Sequence, residues 1–475
     1  MRRTTHRAEL VAVILGAWLS LGATAAPAPK NVIVMISDGC GFHCYEAAAL
    51  YRHGRLGQEV YDTFAARYGM ATWSDQTRGS GGVYDPVAAW ADPNWIRYPN
   101  DKAGAGHGAT DSAAAATAMA CGIKTYDSAI GVDPAKRPVK NLCEQAQAVG
   151  KAAGVITTVP LSHATPAGFA AHNPSRGDYA GIALEMLWAS GLDVIMGCGH
   201  PEFDNNHRPA TKIDAQYVGG DASWAALRRG QVLPPPAGRQ ARPPWRLVQS
   251  QEDFLSLAKS APAGRVLGLA QCHDTLQQAR RTAADRNGDG RVDNSDTRLA
   301  KVGEDPRNEG VPTLADMTRG ALNVLQQNQR GFFLMIEGGA VDWANHANQP
   351  ARSIEEQTDF VQAIEAVTAW VAAHGGWAET LVIVTADHET GYLTAPDHNL
   401  ATPLPTAGAG QMPGMAYNSG GHTNQLVPLF ANGAGSELLA TYCEPQTDPQ
   451  RGKYVDNTSI AKLVGRLWPA AGAQP

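Results

Sequence analysis

The sequence lacks a long basic run, and its charge is mildly acidic, with 45 Asp and Glu against 39 Lys and Arg. We therefore expect no nucleic-acid partner, because proteins that bind the phosphate backbone gather Lys and Arg on one face. Beyond the first residues no apolar run approaches the roughly 20 residues that cross a bilayer, so we expect no membrane span. No internal repeat is evident.

Cysteine is scarce, with seven in the whole chain. The odd count leaves at least one cysteine unpaired within the chain, even in an oxidising compartment. Cys40 and Cys44 lie four residues apart, but no second pair has this spacing, so a thiolate zinc site is not expected. The 44% hydrophobic content excludes a disordered chain.

The first residues are typical of a secretory signal peptide. Arg2, Arg3 and Arg7 supply positive charge, residues 11–21 are apolar, and residues 23–25 (ATA) offer a small-residue cleavage site. The apolar part is too short for a comfortable membrane span. We therefore expect residues 1–26 to be removed and the mature chain, 27–475, to be periplasmic or secreted.

Four short apolar runs have the character of buried strands, each followed by a polar or glycine-rich stretch. They are residues 32–36, 154–158, 332–336 and 381–384. Helical patterns at 143–151, 314–328 and 354–373 alternate with them. This alternation predicts an α/β fold with a mostly parallel sheet.

Residues 199–310 break this alternation. They include a proline-rich stretch at 232–245, which is incompatible with regular structure. We therefore predict a loop-rich insertion at the ligand-facing edge of the sheet.

Within this insertion, residues 285–296 match the ligand spacing of an EF-hand-type calcium loop, with a glycine at the sharp sixth position. The predicted ligands, at positions one, three, five, seven, nine and twelve, are Asp285, Asn287, Asp289, the carbonyl of Arg291, Asp293 and Asp296. The alternative is a solvated turn, since Asp, Asn and Gly favour turns for backbone reasons.

Carboxylates and imidazoles follow the predicted strands at the points where these strands end. They are Asp38, His163, Glu337, Asp387 and His388. Because ligands of parallel sheets bind beyond the carboxyl ends of the strands, we expect these groups to converge on one site.

Ser112 lies at the start of a predicted alanine-rich helix, after the glycine-rich residues 104–108 and Thr110-Asp111. The first N–H groups of a helix bind anions, and a serine there can be made nucleophilic by a nearby cation or base. The alternative is an ordinary capped helix.

The spacing of Asp342 and His346 places both on one helical face, and Asp387, His388 and His422 add further carboxylate and imidazole. This mixture suits zinc. Oxygen donors from Asp38, Glu337 and Thr165 suit magnesium. Two adjacent metals would serve phosphoryl transfer. Taken singly, each group could instead be an ordinary polar surface residue.

Five segments resemble the successive motifs of alkaline phosphatases. They are residues 31–39 (NVIVMISDG), 110–114 (TDSAA), 337–346 (EGGAVDWANH), 385–389 (TADHE) and 421–423 (GHT). The resemblance implies a doubly wound sheet between helical layers, two zinc ions, one magnesium ion and a homodimer. It also implies a catalytic domain spanning residues 27–475 and a phosphoserine intermediate on Ser112.

The resemblance further implies the ligand sets. Asp342, His346 and His422 match the first zinc site. Asp38, Asp387 and His388, with Ser112, match the second. Asp38, Thr165 and Glu337 match the magnesium site, and Arg176 matches an arginine that grips two phosphate oxygens. His163 and Trp343 replace the aspartate and lysine of some bacterial members, and it stays open whether His163 contacts magnesium directly or through water.

The resulting expectation is an exported, metal-dependent phosphomonoesterase acting on small phosphate monoesters. The alternatives are a phosphodiesterase of the same superfamily and a non-catalytic metal- or phosphate-binding protein. A sulfatase is disfavoured because the sequence after Ser112 lacks the Cys/Ser-x-Pro-x-Arg pattern. A serine hydrolase is disfavoured because Ser112 lacks a Gly-x-Ser-x-Gly elbow.

Overall fold

The computed structural model describes residues 28–75, 83–91, 109–232 and 242–469. The predicted signal peptide at 1–26 and the glycine-rich stretch 104–108 lie outside these residues, as does much of the proline-rich stretch 232–245. No helix among the described residues combines the length and apolar character that crossing a bilayer requires.

The strands follow one another along the chain with helices between most of them. They are β1 (Asn31–Ser37), β2 (Ala66–Ala71), β3 (Ala152–Pro160), β4 (Val194–Cys198), β5 (Arg246–Val248), β6 (Val266–Leu269), β7 (Phe332–Gly338), β8 (Thr380–Thr385), β9 (Glu389–Thr390), β10 (Leu393–Thr394), β11 (Ala416–Tyr417), β12 (His422–Thr423), β13 (Val427–Gly433), β14 (Cys443–Asp448) and β15 (Gly452–Asp456).

The α-helices are α1 (Phe42–His53), α2 (Ala88–Ala91), α3 (Ser112–Cys121), α4 (Leu142–Ala148), α5 (Ala164–Gly168), α6 (Tyr179–Trp188), α7 (Asp221–Arg228), α8 (Gln251–Lys259), α9 (Asn294–Leu299), α10 (Leu314–Leu325), α11 (Ala340–His346), α12 (Pro350–Ala373) and α13 (Ser459–Leu467). Short 3₁₀ helices occur at Val60–Thr63, Gln216–Val218, Gly376–Ala378 and Ser436–Tyr442.

Eleven strands form one sheet in the order β14-β15-β2-β13-β8-β1-β7-β3-β4-β6-β5. All neighbours from β8 to β5 are parallel, and antiparallel pairs occur on the other side, where β13 meets β8 and β2. Every residue of β1, β7 and β8 is buried. The predicted mostly parallel α/β sheet is confirmed.

Helices cover both faces of the sheet. Consecutive strand residues point to opposite faces. Phe332 of β7 packs its ring 5.4 Å from Trp370 of α12, whereas Phe333 stacks 6.0 Å from Phe169 at the end of α5. The helices α12 and α5 therefore lie on opposite faces, and the doubly wound arrangement is confirmed.

The predicted alanine helix is α3, which Asp111 caps by accepting a hydrogen bond from the N–H of Ala114 at 2.9 Å. Small side chains let α3 approach α5 closely. A Cβ at Gly168 would lie 2.7 Å from the Cβ of Ala116. The alanine run therefore serves helix packing as well as helix propensity.

The expectation of a loop-rich insertion at 199–310 is wrong for residues 246–269. Here β5, α8 and β6 extend the main sheet, with β6 pairing parallel to β4. A Cβ at Gly268 would lie 2.5 Å from the ring of Phe254, so α8 packs directly on β6. Strands of three and four residues are too short to show a periodic pattern in the sequence. Residues 270–293 contain neither helix nor strand.

All seven cysteines are free thiols in this structure. The Sγ atoms of Cys198 and Cys272 lie 3.2 Å apart, and both residues are fully buried.

His172 joins two helices through carboxylates. Its Nδ1 lies 3.0 Å from Glu185 of α6, and its Nε2 lies 3.4 Å from Glu144 of α4. Burial alone would lower the pKa of His172, but the hydrogen bonds to Glu144 and Glu185 outweigh it and raise the pKa to about 10.

This shift predicts a pH-dependent contribution to stability. Because the pKa rises on folding, the stabilisation is fully present below about pH 6.5 and is lost as the pH rises through about 10. We expect His172→Gln to lower the free energy of unfolding by about 1–3 kcal/mol near pH 6, with a smaller loss near pH 10. Urea unfolding across this range measures the effect.

The control is His374→Gln, at an exposed histidine that forms no ion pair among the described residues. A loss in His172→Gln that stays constant from pH 6 to 10 would contradict the assigned ion pairs.

Candidate metal centre

The carboxyl ends of three adjacent strands bring the predicted acidic residues together. In the parallel register, Ile36 of β1 lies opposite both Glu337 of β7 and Thr385 of β8. Asp38 and Asp387, each two residues further along, therefore follow at the same sheet edge as Glu337. All three carboxylates are almost completely buried.

A tight turn at Gly39 follows β1 at this edge of the sheet. Gly39 adopts φ = +68°, and a Cβ there would lie 2.6 Å from Oδ1 of Asp342. The backbone N–H of Gly39 donates to Oδ1 of Asp387 at 3.0 Å. A side chain at position 39 would therefore collide with the acidic cluster, and the αL conformation itself favours glycine.

Two groups of side chains have the geometry to hold a cation. One contains Asp342, His346 and His422, and the other contains Asp38, Asp387 and His388; within each group the ligand atoms lie within 4.8 Å of one another. The helix α11 supplies Asp342 and His346, β12 supplies His422, and the turn after β8 supplies Asp387 and His388.

The two histidines of the first group present lone pairs to the same point. Nδ1 of His346 lies 2.7 Å from the carbonyl of Gly420, and Nδ1 of His422 lies 2.8 Å from the carbonyl of Thr110. A carbonyl only accepts, so each Nδ1 carries the proton. The two Nε2 atoms lie 3.0 Å apart and face Asp342. Such an arrangement fits a cation between them.

Ser112 adjoins the second group. Its Oγ lies 3.1 Å from Nε2 of His388, and that nitrogen lies 3.4 Å from Asp38 and 3.3 Å from Asp387. Because Ser112 is the first residue of α3, the free N–H groups of the helix start point toward the same region.

Two threonines lie beside the carboxylates of Asp38 and Glu337. Oγ1 of Thr165 lies 3.4 Å from Oδ2 of Asp38, and Thr157 donates to Oε2 of Glu337. Burial, and secondarily the positive charge of Arg176, lowers the pKa of His163 to about 3, so this imidazole is neutral and able to act as a ligand.

The three buried carboxylates have fewer hydrogen-bond partners than their oxygens could accept. Among the described side chains, no hydrogen bond reaches Oδ1 of Asp38, Oε1 of Glu337 or Oδ2 of Asp387. Burial raises the pKa of Asp387 to about 8 and that of Glu337 to about 7, and burial with neighbouring carboxylates holds that of Asp38 well above its usual range. Divalent cations would satisfy these oxygens, so the residues present fit the metals that the sequence predicts.

Arg176 lines the same cavity as Ser112. Its Nη1 lies 3.0 Å from Oδ2 of Asp111, the residue that caps α3. Asp111 also accepts a hydrogen bond from the N–H of Ser128 at 2.9 Å. One carboxylate thus ties the start of the helix to the guanidinium group.

These groups open into a cavity of about 600 Å³. Its lining comprises Ser112, His163, Arg176, Gln278, Asp342, Trp343, His346, Ala347 and His422. A larger cavity of about 790 Å³ lies between α10 and α12 and contains none of the predicted site residues. The predicted site residues that reach a cavity therefore line the smaller one.

The structure adds residues that sequence reasoning missed. Thr390 donates from Oγ1 to Oδ1 of Asp342 at 2.6 Å, and Thr157 holds Glu337. Thr390 lies two residues after His388, and this proximity to a predicted ligand could have identified it from the sequence. Gln278 lines the cavity although it belongs to the segment predicted as an insertion, and nothing in the sequence pointed to it.

The predicted calcium loop is closed by its own hydrogen bonds. Asp285 accepts from the N–H groups of Gly288 and Gly290, and Asp296 accepts from those of Arg286, Asn287 and Asp293. The loop is absent from the groups of three His, Cys, Asp or Glu that converge within 4.8 Å among the described residues. Calcium binding by this loop stays a prediction.

Calcium should raise the melting temperature of the protein but not that of Asp289→Ala, because the substitution removes the carboxylate at position five. Differential scanning calorimetry with zinc and magnesium held saturating measures the two responses. An equal calcium response in both proteins would leave only a solvated turn.

Removing divalent cations should destabilise the protein, since the buried carboxylates would then lose their counter-charge. A cation present at 100 times its dissociation constant contributes about 2.7 kcal/mol, so chelation should lower the melting temperature by several degrees. Calorimetry before and after chelation, with metal content measured, tests this. Asp38→Asn should show a smaller drop, whereas Asp133→Asn, which changes a carboxylate outside both groups of candidate ligands, should show the same drop as the unmodified protein. Equal melting temperatures after verified metal removal would contradict the assignment.

Comparison with known proteins places these features in a family. Residues 94–426 match the family model described as alkaline phosphatase. Alkaline phosphatase of Escherichia fergusonii is 31% identical over 393 residues, which covers 78% of this chain and 72% of that protein. Alkaline phosphatase 4 of Bacillus subtilis is 34% identical over 290 residues, 60% of this chain and 50% of that protein. The alignment therefore spans only half of the Bacillus protein.

A solved structure resembles the fold. It is a variant of the alkaline phosphatase of the Antarctic bacterium TAB5, with one histidine replaced by glutamate and Mg bound in the M3 site. It is 26% identical, has a TM-score of 0.60, and covers 93% of this chain and 98% of that chain. With the family match extending over most of the sequence, the chain belongs to the alkaline phosphatase family.

Proposed function

We propose that the protein is a metal-dependent phosphomonoesterase that acts through a phosphoserine intermediate on Ser112. The observation that carries this proposal is the position of the Ser112 hydroxyl. It lies at the start of α3, 3.1 Å from His388, beside a cluster of buried carboxylates and in the cavity that Arg176 lines. A hydroxyl in this setting can attack phosphorus.

Two zinc ions and one magnesium ion are the cofactors we propose. Asp342, His346 and His422 would hold one zinc, and Asp38, Asp387 and His388, with Ser112, would hold the other. The magnesium would lie among Asp38, Thr165 and Glu337, with His163 nearby. When bound, the ions neutralise the charge of the phosphoryl group and lower the pKa of hydroxyl groups beside them.

The residues of the chain orient the substrate for an in-line reaction. The start of α3 and the fork of Arg176 attract the phosphoryl oxygens, while Asp111 holds the guanidinium in place. Oγ of Ser112 gives up its proton to solvent as the Oγ–P bond forms, the ester P–O bond breaks, and the departing alkoxide takes a proton from solvent and leaves as the alcohol. Water then attacks phosphorus and loses a proton, the Oγ–P bond breaks, Oγ of Ser112 is reprotonated, and inorganic phosphate leaves. Positioning and charge neutralisation supply most of the catalysis of such transfers.

Export to the periplasm or the medium, and assembly as a homodimer, belong to this proposal. Export rests on the pattern of residues 1–26, and the homodimer rests on the sequence resemblance.

The test is turnover of p-nitrophenyl phosphate by the zinc- and magnesium-loaded protein. Ser112→Ala should lose at least a thousandfold in kcat, because the nucleophile is gone, and should form no acid-stable phosphoenzyme. Arg176→Ala is the matched control. It should still form the phosphoenzyme, with a raised KM and weaker phosphate inhibition, because it loses one charged contact worth about 1.5–3 kcal/mol.

Wild-type rates in Ser112→Ala would overturn the nucleophile. A faster turnover of bis(p-nitrophenyl) phosphate than of the monoester would instead favour the diesterase alternative.

A further inference from the structure

Gln278 is the one residue of the segment 270–293 in the lining of the cavity around Ser112. Its side chain is largely buried, with 8% exposure. It adds no charge to the site, in contrast to the ionisable residues beside it. A neutral amide in this place is suited to recognise a polar but uncharged part of a substrate.

The orientation of the amide is set by a chain of hydrogen bonds. Gln349 donates from Nε2 to Oδ1 of Asn294 at the start of α9, so its own Oε1 faces Gln278. Nε2 of Gln278 donates to that Oε1 at 3.0 Å. Nε2 of Gln278 is thereby hydrogen-bonded within the protein, and the side-chain oxygen Oε1 points away from Gln349.

Oε1 of Gln278 receives no hydrogen bond from the described side chains or backbone. This oxygen is not among the buried polar atoms that lack a partner, so solvent reaches it in the free protein. A ligand that displaces this solvent keeps the hydrogen bond only if it supplies a donor of its own. The phosphoryl group cannot do so, because its oxygens only accept and Arg176 and the start of α3 already attract them. The complementary donor therefore belongs to the other part of the ester.

We propose that Gln278 determines specificity for the leaving group, and this rests on the proposed phosphomonoesterase function. Its Oε1 accepts a hydrogen bond from a hydroxyl or amino group carried by the alcohol part of the ester. The favoured substrates are phosphate monoesters of polyols or amino alcohols. Simple alkyl or aryl esters, which lack the second donor, react without this contact. Gln349 and Asn294 act as positioning residues for the amide.

The neighbouring Gln277 provides a matched control. Its side chain donates to the carbonyl of Asn308 and accepts from the N–H of the same residue. It does not line the cavity around Ser112. Gln277→Met therefore removes a glutamine from the same loop without touching the proposed contact.

The experiment compares glycerol 3-phosphate with n-propyl phosphate, which has the same carbon chain without the hydroxyl groups. For each protein, the ratio of the two kcat/KM values is measured, so that the intrinsic reactivity of the esters cancels between variants. In Gln278→Met the preference for glycerol 3-phosphate should fall about two- to tenfold, the range for one hydrogen bond. Turnover of n-propyl phosphate and inhibition by inorganic phosphate should not change.

Gln349→Met should shift the ratio in the same direction by a smaller factor, and Gln277→Met should leave it unchanged. Calorimetry in the Ser112→Ala background gives a readout without turnover. There, Gln278→Met should weaken binding of glycerol 3-phosphate but not of n-propyl phosphate.

An unchanged ratio in Gln278→Met overturns the inference, as does an equal loss for both substrates, which would indicate a structural role. If the unmodified, metal-loaded protein hydrolyses neither ester nor p-nitrophenyl phosphate, the proposed function itself fails. The two failures are therefore distinguishable.

Discussion

The mutual repulsion of buried carboxylates is the constraint on which this site depends. Asp38, Glu337, Asp342 and Asp387 lie together in the protein interior, where water cannot screen their charges. Burial is the largest cause of the raised pKa values of Asp38, Glu337 and Asp387, and neighbouring carboxylates add to it. Such a cluster is tolerable when cations hold it together. The folded arrangement of these carboxylates therefore favours binding of divalent metal before any substrate is present.

The sheet makes this cluster possible. Parallel pairing of β1 with β7 and β8 keeps their carboxyl ends level, and the fully apolar interiors of these strands bury everything behind the ends. Hydrogen bonds then arrange the groups. Thr390 holds Asp342, and backbone carbonyls hold the outer nitrogens of His346 and His422. The strands supply rigidity, and the loops after them supply ligands.

The lining of the cavity combines charged and uncharged groups. Near Ser112, helix α3, Arg176 and the acidic groups form a charged region that suits a phosphoryl group and metal ions. Trp343, Ala347 and the neutral amide of Gln278 contribute the uncharged part of the lining. Gln278 connects through Gln349 to Asn294, the first residue of α9 and a member of the predicted calcium loop. The segment with the weakest sequence signal thus supplies the residue that we propose contacts the alcohol part of the ester.

The sequence by itself determined the parallel strands, the alanine helix with its Asp111 cap, and the identity of the charged residues at the strand ends. These features are local, because apolar runs and capping residues reveal themselves over a few positions. Only the tertiary structure decided that β5 and β6 extend the sheet and that Gln278 enters the cavity. Edge strands of three or four residues carry too little periodicity, and a glutamine in an irregular loop acquires its role from partners about 70 residues away in the chain.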